Sequence, residues 1–169
     1  MNYRQGRLDS LCGFYALTNA VVGLLSTSNS RVAKEVFAEA VRSAPDHVWP
    51  ACLSRGLEFD ELLTTARTTV RRLNRRNGVQ LSARPFASGK SGTPINPTID
   101  GDALRLIVWI ETLGRVPLAH WSVVRGQVGS KLLMSDSEGL RRFDLSAPNF
   151  CGRRARIDWD QSIVVQLRR

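Results

Sequence analysis

Asp9-Ser10-Leu11-Cys12-Gly13-Phe14-Tyr15-Ala16-Leu17-Thr18-Asn19-Ala20 is the stretch around which the rest of this chain is organised. From Cys12 onward the apolar residues Phe14, Leu17, Val21 and Leu24 recur at helical spacing, while small Ala16, Ala20 and Gly23 permit close approach of a neighbour. The pattern predicts a helix from Cys12 to about Leu25, packed inward along one face and ended by the polar run Ser26-Thr27-Ser28-Asn29-Ser30. A thiol at the mouth of such a helix lies in the positive end of the helix dipole, beside unpaired backbone N–H groups. Both favour the thiolate. Cys12 is therefore a candidate nucleophile held at the edge of a rigid element.

Working outward, a second helix places Val32, Val36, Phe37, Ala40 and Val41 on one face and stops at Pro45. Asp46 to Arg55 reads as irregular. A third helix covers about Glu58 to Asn77, with Phe59, Leu62, Leu63, Ala66, Val70 and Leu73 at core spacing and Asn77-Gly78 as its close. Val79 to Phe86 reads as a strand, and the Gly/Ser/Pro-rich run Ala87 to Pro97 as an exposed loop. Beyond it β signals dominate: Leu104 to Ile110, His120 to Arg125, Lys131 to Ser135, Leu140 to Leu145 and Ile163 to Leu167. Ala103 to Leu113 also admits a helical reading, since short apolar runs are ambiguous. The segments Arg125 to Ser130 and Ser137-Glu138-Gly139 hold the glycines expected of hairpin turns. Helices followed by an antiparallel sheet is the α+β arrangement.

The 169 residues, 43% hydrophobic, suffice for one domain with a substantial core and are too few for two, so residues 1–169 are read as a single domain. Three cysteines, Cys12, Cys52 and Cys151, form neither a metal-ligand spacing nor a disulfide framework, and only His47 and His120 carry imidazole. No metal and no organic cofactor is implied. The polar N-terminus lacks the apolar core of a signal peptide, and no apolar run is long enough to cross a bilayer. The expected compartment is the cytoplasm, with leaderless secretion left open. The formal charge is +9, and all but three of the 24 basic residues are arginine. Arginine suits planar anions, yet the densest cluster, Arg67 to Arg76, lies on a predicted amphipathic helix without interleaved aromatics to stack bases. A solvated helix face is the better reading than a nucleic-acid surface.

A cysteine nucleophile needs a base within hydrogen-bond reach, and that base needs a group to orient it. His120 opens the strand His120-Trp121-Ser122-Val123-Val124, and Asp136 ends the next, Leu132-Leu133-Met134-Ser135-Asp136. If the two form a hairpin, imidazole and carboxylate meet at one sheet edge. Gln5, seven positions before Cys12, offers an N–H donor that would join the Cys12 backbone N–H in an oxyanion hole. Cys52 and Cys151 read as small buried hydrophobes, His47 as structural or solvent-exposed, and Asn19, two turns past Cys12 on the same face, as a partner for buried polar groups.

Gln5, Cys12-Gly13 opening a helix, His120-Trp121 at the head of an apolar strand and Asp136 a strand and turn later occur in the order of the papain-like cysteine peptidases, which the chain resembles. The compact form, with His-Trp-Ser-Val-Val-Arg-Gly and Leu-Leu-Met-Ser-Asp-Ser-Glu-Gly, is most similar to the bacteriocin-processing branch and its bacterial relatives, over residues 1–25 and 104–145. The resemblance implies a papain-like fold, N-terminal helices packed on a C-terminal antiparallel β-sheet with a cleft between them. It implies Cys12 as nucleophile, His120 as base and acid, Asp136 as orienter, Gln5 as oxyanion donor, and a peptide or protein substrate. The same acyl-thiol chemistry would serve an amidase, transglutaminase or acyltransferase, and a catalytically silent protein-binding module is the alternative of another class.

Overall fold

The computed structural model describes residues 10–86 and 103–168. Helix α1 (Cys12–Leu24) carries no charged side chain, and nearly all of it is buried. A helix apolar on every side needs cover on every side. One side is covered by α2 (Ser30–Ser43), where Tyr15 and Phe14 pack on Phe37, and the other by the sheet. Asn29 caps α2 by accepting from the Arg31 backbone N–H at 2.9 Å. The third helical layer is α4 (Phe59–Asn77), entered through the Glu61 carboxylate accepting from the Glu58 N–H at 2.9 Å and closed by Gly78 in the left-handed conformation. Its arginine-rich face is exposed, with Arg72 paired to Glu39 of α2.

The sheet is antiparallel throughout and comprises seven strands among the described residues: β1 (Leu81–Pro85), β2 (Leu104–Thr112), β3 (Ala119–Val128), β4 (Lys131–Met134), β5 (Arg142–Asp144), β6 (Asn149–Phe150) and β7 (Arg153–Leu167). Their order is β1-β7-β2-β3-β4-β5, with β6 paired to β7. Side chains alternate across this sheet and build two cores. Ile107, Trp121, Val123, Ile163 and Val165 face the helices, and Leu106, Val108, Ile110, Val124 and Val164 face the other way. The second core is closed by the sheet itself: β6 touches both β2 and β5, which are not neighbours, so the sheet curls and Phe150 and Phe143 fill the hollow.

The chain is α+β as its patterning predicts, and Leu104–Thr112 is a strand rather than a helix. Three local expectations are corrected. Residues 46–55 are not irregular: they form a 3-10 turn at Asp46–Val48 and one helical turn, α3 (Cys52–Arg55). Gly126, expected in a hairpin turn, lies inside β3 at a bulge, and the turn falls at Gly129-Ser130. Cys151 is exposed in the β6–β7 turn with φ 52°, a left-handed position, whereas Cys52 is buried as expected. β7 also begins ten residues before the predicted strand at Ile163. Ala155, Ile157 and Trp159 alternate there with Arg154, Arg156, Asp158 and Asp160, a period-2 signal obscured by charge density. The predicted loop Ala87–Pro97 and Gln5 lie outside the described residues.

What positions the start of α1 is a clamp built by α3. The Ser10 N–H donates to Leu53 O at 3.2 Å and the Ser10 hydroxyl to Ser54 O at 2.8 Å. Gly56 ends α3 at φ 80°, ψ −174°, a region open essentially to glycine alone, and a Cβ there would sit 3.2 Å from Ser10 O. Gly56→Ala is therefore expected to cost about 2 kcal/mol in backbone strain and to loosen the segment leading into Cys12. Chemical denaturation checks the first effect. An unchanged midpoint would show that the clamp tolerates a side chain.

Candidate active site

Cys12 is the first residue of α1, and its N-cap, Leu11, has no side-chain oxygen to satisfy the helix's leading N–H groups. No acidic residue stands in the first turn. Neither Leu11 nor the first turn therefore offsets the positive potential of this helix end. Gly13 brings this end against the sheet: a Cβ there would meet both Leu57 and Trp121 at 3.4 Å. The Trp121 indole N–H donates to Leu57 O at 2.8 Å, which ties β3 to the α3–α4 connection beneath Cys12. Trp121 and His120 are adjacent on a strand, so they face opposite sides of it. Trp121 grips the helix layer while His120 turns to the curled side.

His120 is buried, and its Nε2 lies 2.8 Å from Asp136 Oδ2. At this level β3 has no paired neighbour on that side, since the β3–β4 ladder begins only at Val124↔Met134. The Ser135 N–H donates to Val123 O at 2.8 Å, carrying the chain past this edge and setting Asp136 beside the ring. The hairpin reading of the sequence is thus correct in its main consequence. Asp136 is fully buried. Its Oδ1 accepts from the backbone N–H groups of Glu138 at 2.7 Å and Leu140 at 3.2 Å, so the Ser-Glu-Gly turn wraps the carboxylate. The Ser122 hydroxyl also favours the charged form, without closing a hydrogen bond of good geometry.

Burial works against charge on both partners, yet the pair overcomes it. For His120, burial pushes the pKa down, and the hydrogen bond with Asp136 and the nearby Cys12 thiol outweigh it, raising it to about 10. For Asp136, burial pushes the pKa up, and the His120 contact with the Glu138 N–H brings it below the ordinary carboxylate range. With Nε2 committed to Asp136, Nδ1 is the ring nitrogen left for the thiol within reach. The Phe150 ring stacks on the imidazole, centroids 5.3 Å apart and planes 16° from parallel, which fixes the ring's tilt and shields it from water. No spacing in the sequence announced Phe150; it arrives through the curl of the sheet.

Of the four residues singled out from the sequence, the structure brings Cys12, His120 and Asp136 together, and Gln5 lies outside the described residues. Asn19 is buried two turns along α1 from Cys12, and His47 is exposed on the 3-10 turn. Among the described residues no group of three His, Cys, Asp or Glu side chains is gathered as a metal ion would require. No described helix is long and apolar enough to cross a membrane. The chain matches no protein-family model, and no curated protein matches it.

The raised His120 pKa ties stability to pH in a defined direction. Its contribution is fully present below the ordinary 6.5 and is lost as pH rises through about 10. The Asp136 contribution is present above 3.8 and is lost as pH falls through its depressed folded value. Asp136→Asn removes the principal hydrogen bond that raises His120. It should lower stability by about 3 kcal/mol near neutral pH and flatten the decline between pH 6.5 and 10. Unfolding measured across that range, with the imidazole titration followed by NMR, checks both. An equal alkaline slope in the variant would show that Asp136 does not hold the proton on His120.

Proposed function

We propose that this chain is a thiol hydrolase of the papain-like kind, most simply a cysteine peptidase cleaving a peptide or isopeptide bond through an acyl-enzyme on Cys12. The observation that carries the reading is the juxtaposition of a helix N-terminus bearing Cys12 with His120, whose far nitrogen is held by a fully buried carboxylate. Nucleophile, proton carrier and orienter each have a distinct element behind them. The helices on an antiparallel sheet, with the thiol on the former and the imidazole on the latter, agree with the papain-like arrangement.

In the proposed cycle the Cys12 sulfur attacks the substrate carbonyl carbon as the thiolate, its charge balanced by the His120 imidazolium. The carbonyl π electrons move to oxygen, and that oxyanion is met by the leading N–H groups of α1, joined by Gln5 if its side chain reaches them. The C–N bond then breaks, the imidazolium gives its proton to the departing amine, and a thioester on Cys12 remains. The now neutral imidazole takes a proton from water as the water oxygen adds to the thioester carbon. Collapse of that second adduct releases the carboxylic acid product and restores the thiolate and imidazolium. A raised His120 pKa suits the first half, in which the ring is an acid, and Asp136 keeps the ring's Nδ1 turned toward sulfur throughout.

Cys12→Ala should abolish turnover of a peptide substrate and the acyl-enzyme seen by intact mass, and His120→Ala should do nearly the same. Gln5→Ala should lower kcat on the order of 10²-fold, the scale for one oxyanion donor. A full rate in Cys12→Ala would end the reading; a full rate in Gln5→Ala alone would assign the oxyanion to the helix N–H groups and another donor.

Limited iodoacetamide treatment should modify Cys12 first. Cys52 is wholly buried, and Cys151, though exposed, has its thiol pKa pushed up by burial of the sulfur and by the Glu138 and Asp136 carboxylates. Peptide mapping reads the order directly, and faster labelling of Cys151 would contradict an activated Cys12.

A further inference from the structure

On the curled face of β3, Ser122 stands between His120 and Val124, two residues from each. Its cross-strand partner in β2 is Val108, and Val124, Met134 and Phe143 belong to the same core, so a valine would suit this position by packing alone. The chain has a hydroxyl there instead. It is 1% exposed and closes no hydrogen bond of good geometry among the described residues. A hydroxyl left so in an apolar interior costs free energy, and the acceptor within its reach is Asp136.

Register places that acceptor. The Ser135 N–H on Val123 O, at 2.8 Å, carries the Val124↔Met134 pairing one step further, and the next step of the same register sets Asp136 against Ser122. Opposed residues of antiparallel strands have Cβ atoms about 5 Å apart, close enough for a hydroxyl to meet a carboxylate. An ionised carboxylate offers about four lone-pair sites. Asp136 gives one on Oδ2 to His120 Nε2 and two on Oδ1 to the Glu138 and Leu140 N–H groups, so the open site is on Oδ2, the oxygen that holds the ring. Burial raises the Asp136 pKa, and the Ser122 hydroxyl stands after His120 among the groups that bring it down again. The other titratable groups here are Cys12, which reaches the ring from α1, and Cys151 of the β6–β7 turn, whose thiol is kept neutral by burial and by the Glu138 and Asp136 carboxylates. Phe150 of β6 and Ile110 of β2 bring no charge to the ring.

While His120 is an imidazolium, its charge balances the buried carboxylate. Once the ring has passed its Nδ1 proton to a leaving amine, the Nε2–H is a neutral donor and that balance is gone. A hydroxyl answers by rotating, with no movement of the backbone. We infer that Ser122 is a positioning residue: its hydroxyl turns onto the open Oδ2 lone pair, shares Asp136 with His120, and holds carboxylate and ring in place through the step in which the ring is neutral. The sharing of Asp136 is independent of any reaction, and the place of Ser122 in the cycle rests on the thiol-hydrolase reading. The hydroxyl keeps its own proton throughout. By drawing charge from Oδ2 it weakens the carboxylate's support of the imidazolium, so the ring gives up its Nδ1 proton more readily.

The test follows the imidazole titrations by NMR in the full chain carrying Cys12→Ala, which leaves Asp136 as the group paired with His120, and takes exposed His47, the only other histidine, as internal reference. Adding Ser122→Ala should raise the His120 titration by roughly half a pH unit or more and leave His47 unmoved. A merely structural serine would give the opposite sign, since a loosened pair holds the ring proton less. Ser122→Thr and Ser122→Val add similar bulk and differ in the hydroxyl, so His120 should titrate higher in Ser122→Val than in Ser122→Thr by a similar amount, even where the cavity left by alanine disturbs the strand. An equal or lower titration in Ser122→Val than in Ser122→Thr would overturn the shared contact. In the chain that keeps Cys12, Ser122→Ala should raise the pH at which acyl-enzyme hydrolysis reaches half its maximum, and the acyl-enzyme should accumulate near neutral pH in intact mass spectra, with Ser122→Thr restoring release. A titration shift with unchanged release would strike Ser122 from the cycle. A titration shift with no acyl-enzyme in any variant would keep the contact and remove the hydrolase reading; acyl-enzyme formed and released alike in all variants, with the titration unmoved, would do the reverse.

Discussion

A carboxylate taken entirely out of water is the constraint on which this site depends. Asp136 is fully buried, and an uncompensated charge there would cost several kcal/mol. Every nearby feature compensates it. The His120 ring supplies a proton on one oxygen, and the turn from Ser137 to Leu140 supplies two backbone N–H groups to the other. Those bonds fix the path of the chain between β4 and β5, and with it the orientation of the ring toward Cys12. The pair is tuned from one side by burial and from the other by hydrogen bonds, and for both groups the hydrogen bonds and opposite charge win.

The second requirement is that a helix and a strand meet closely, and it is met by residues outside the set Cys12, His120 and Asp136. Gly13 lets α1 approach β3, Trp121 bonds back to the α3–α4 connection, and Gly56 allows Ser10 to be clamped. Because Trp121 and His120 point to opposite faces of one strand, the packing that seats the helix and the imidazole beside Cys12 are set by consecutive residues. Phe150 completes the arrangement from the other face by stacking on the imidazole. Rigid support of this kind is what allows a resting thiol and imidazole to stay aligned.

Only part of the chain's positive charge is ion-paired among the described residues. Arg31 and Arg42 of α2, Arg55 of α3, Arg72 of α4 and Arg156 of β7 are matched by Glu35, Glu39, Glu61 and Glu111. Arg125, Arg141 and Arg142 lie together around an open groove beside α1. The composition alone shows only the total. Which arginines converge depends on the register of β3, β4 and β5, three strands whose basic residues are separated by up to 17 positions along the chain.

Local pattern determined the elements. The apolar stripes of residues 12–24 and 59–77 and the branched runs after residue 104 were sufficient for the α+β class, because each is a short-range periodicity that any packing partner would reward. The order of Cys12, His120 and Asp136, with a turn signal between the last two strands, also made the pairing of imidazole and carboxylate legible, since antiparallel neighbours bring the start of one strand to the end of the next. Tertiary structure alone decided the rest. The charged alternation of Arg153–Asp160 became strand only by pairing with β2, the one-turn helix at Cys52 formed to hold Ser10, and Phe150 reached His120 because the sheet curls. These are contacts between residues distant in the chain, and their free energy exists only once the backbone has closed around them.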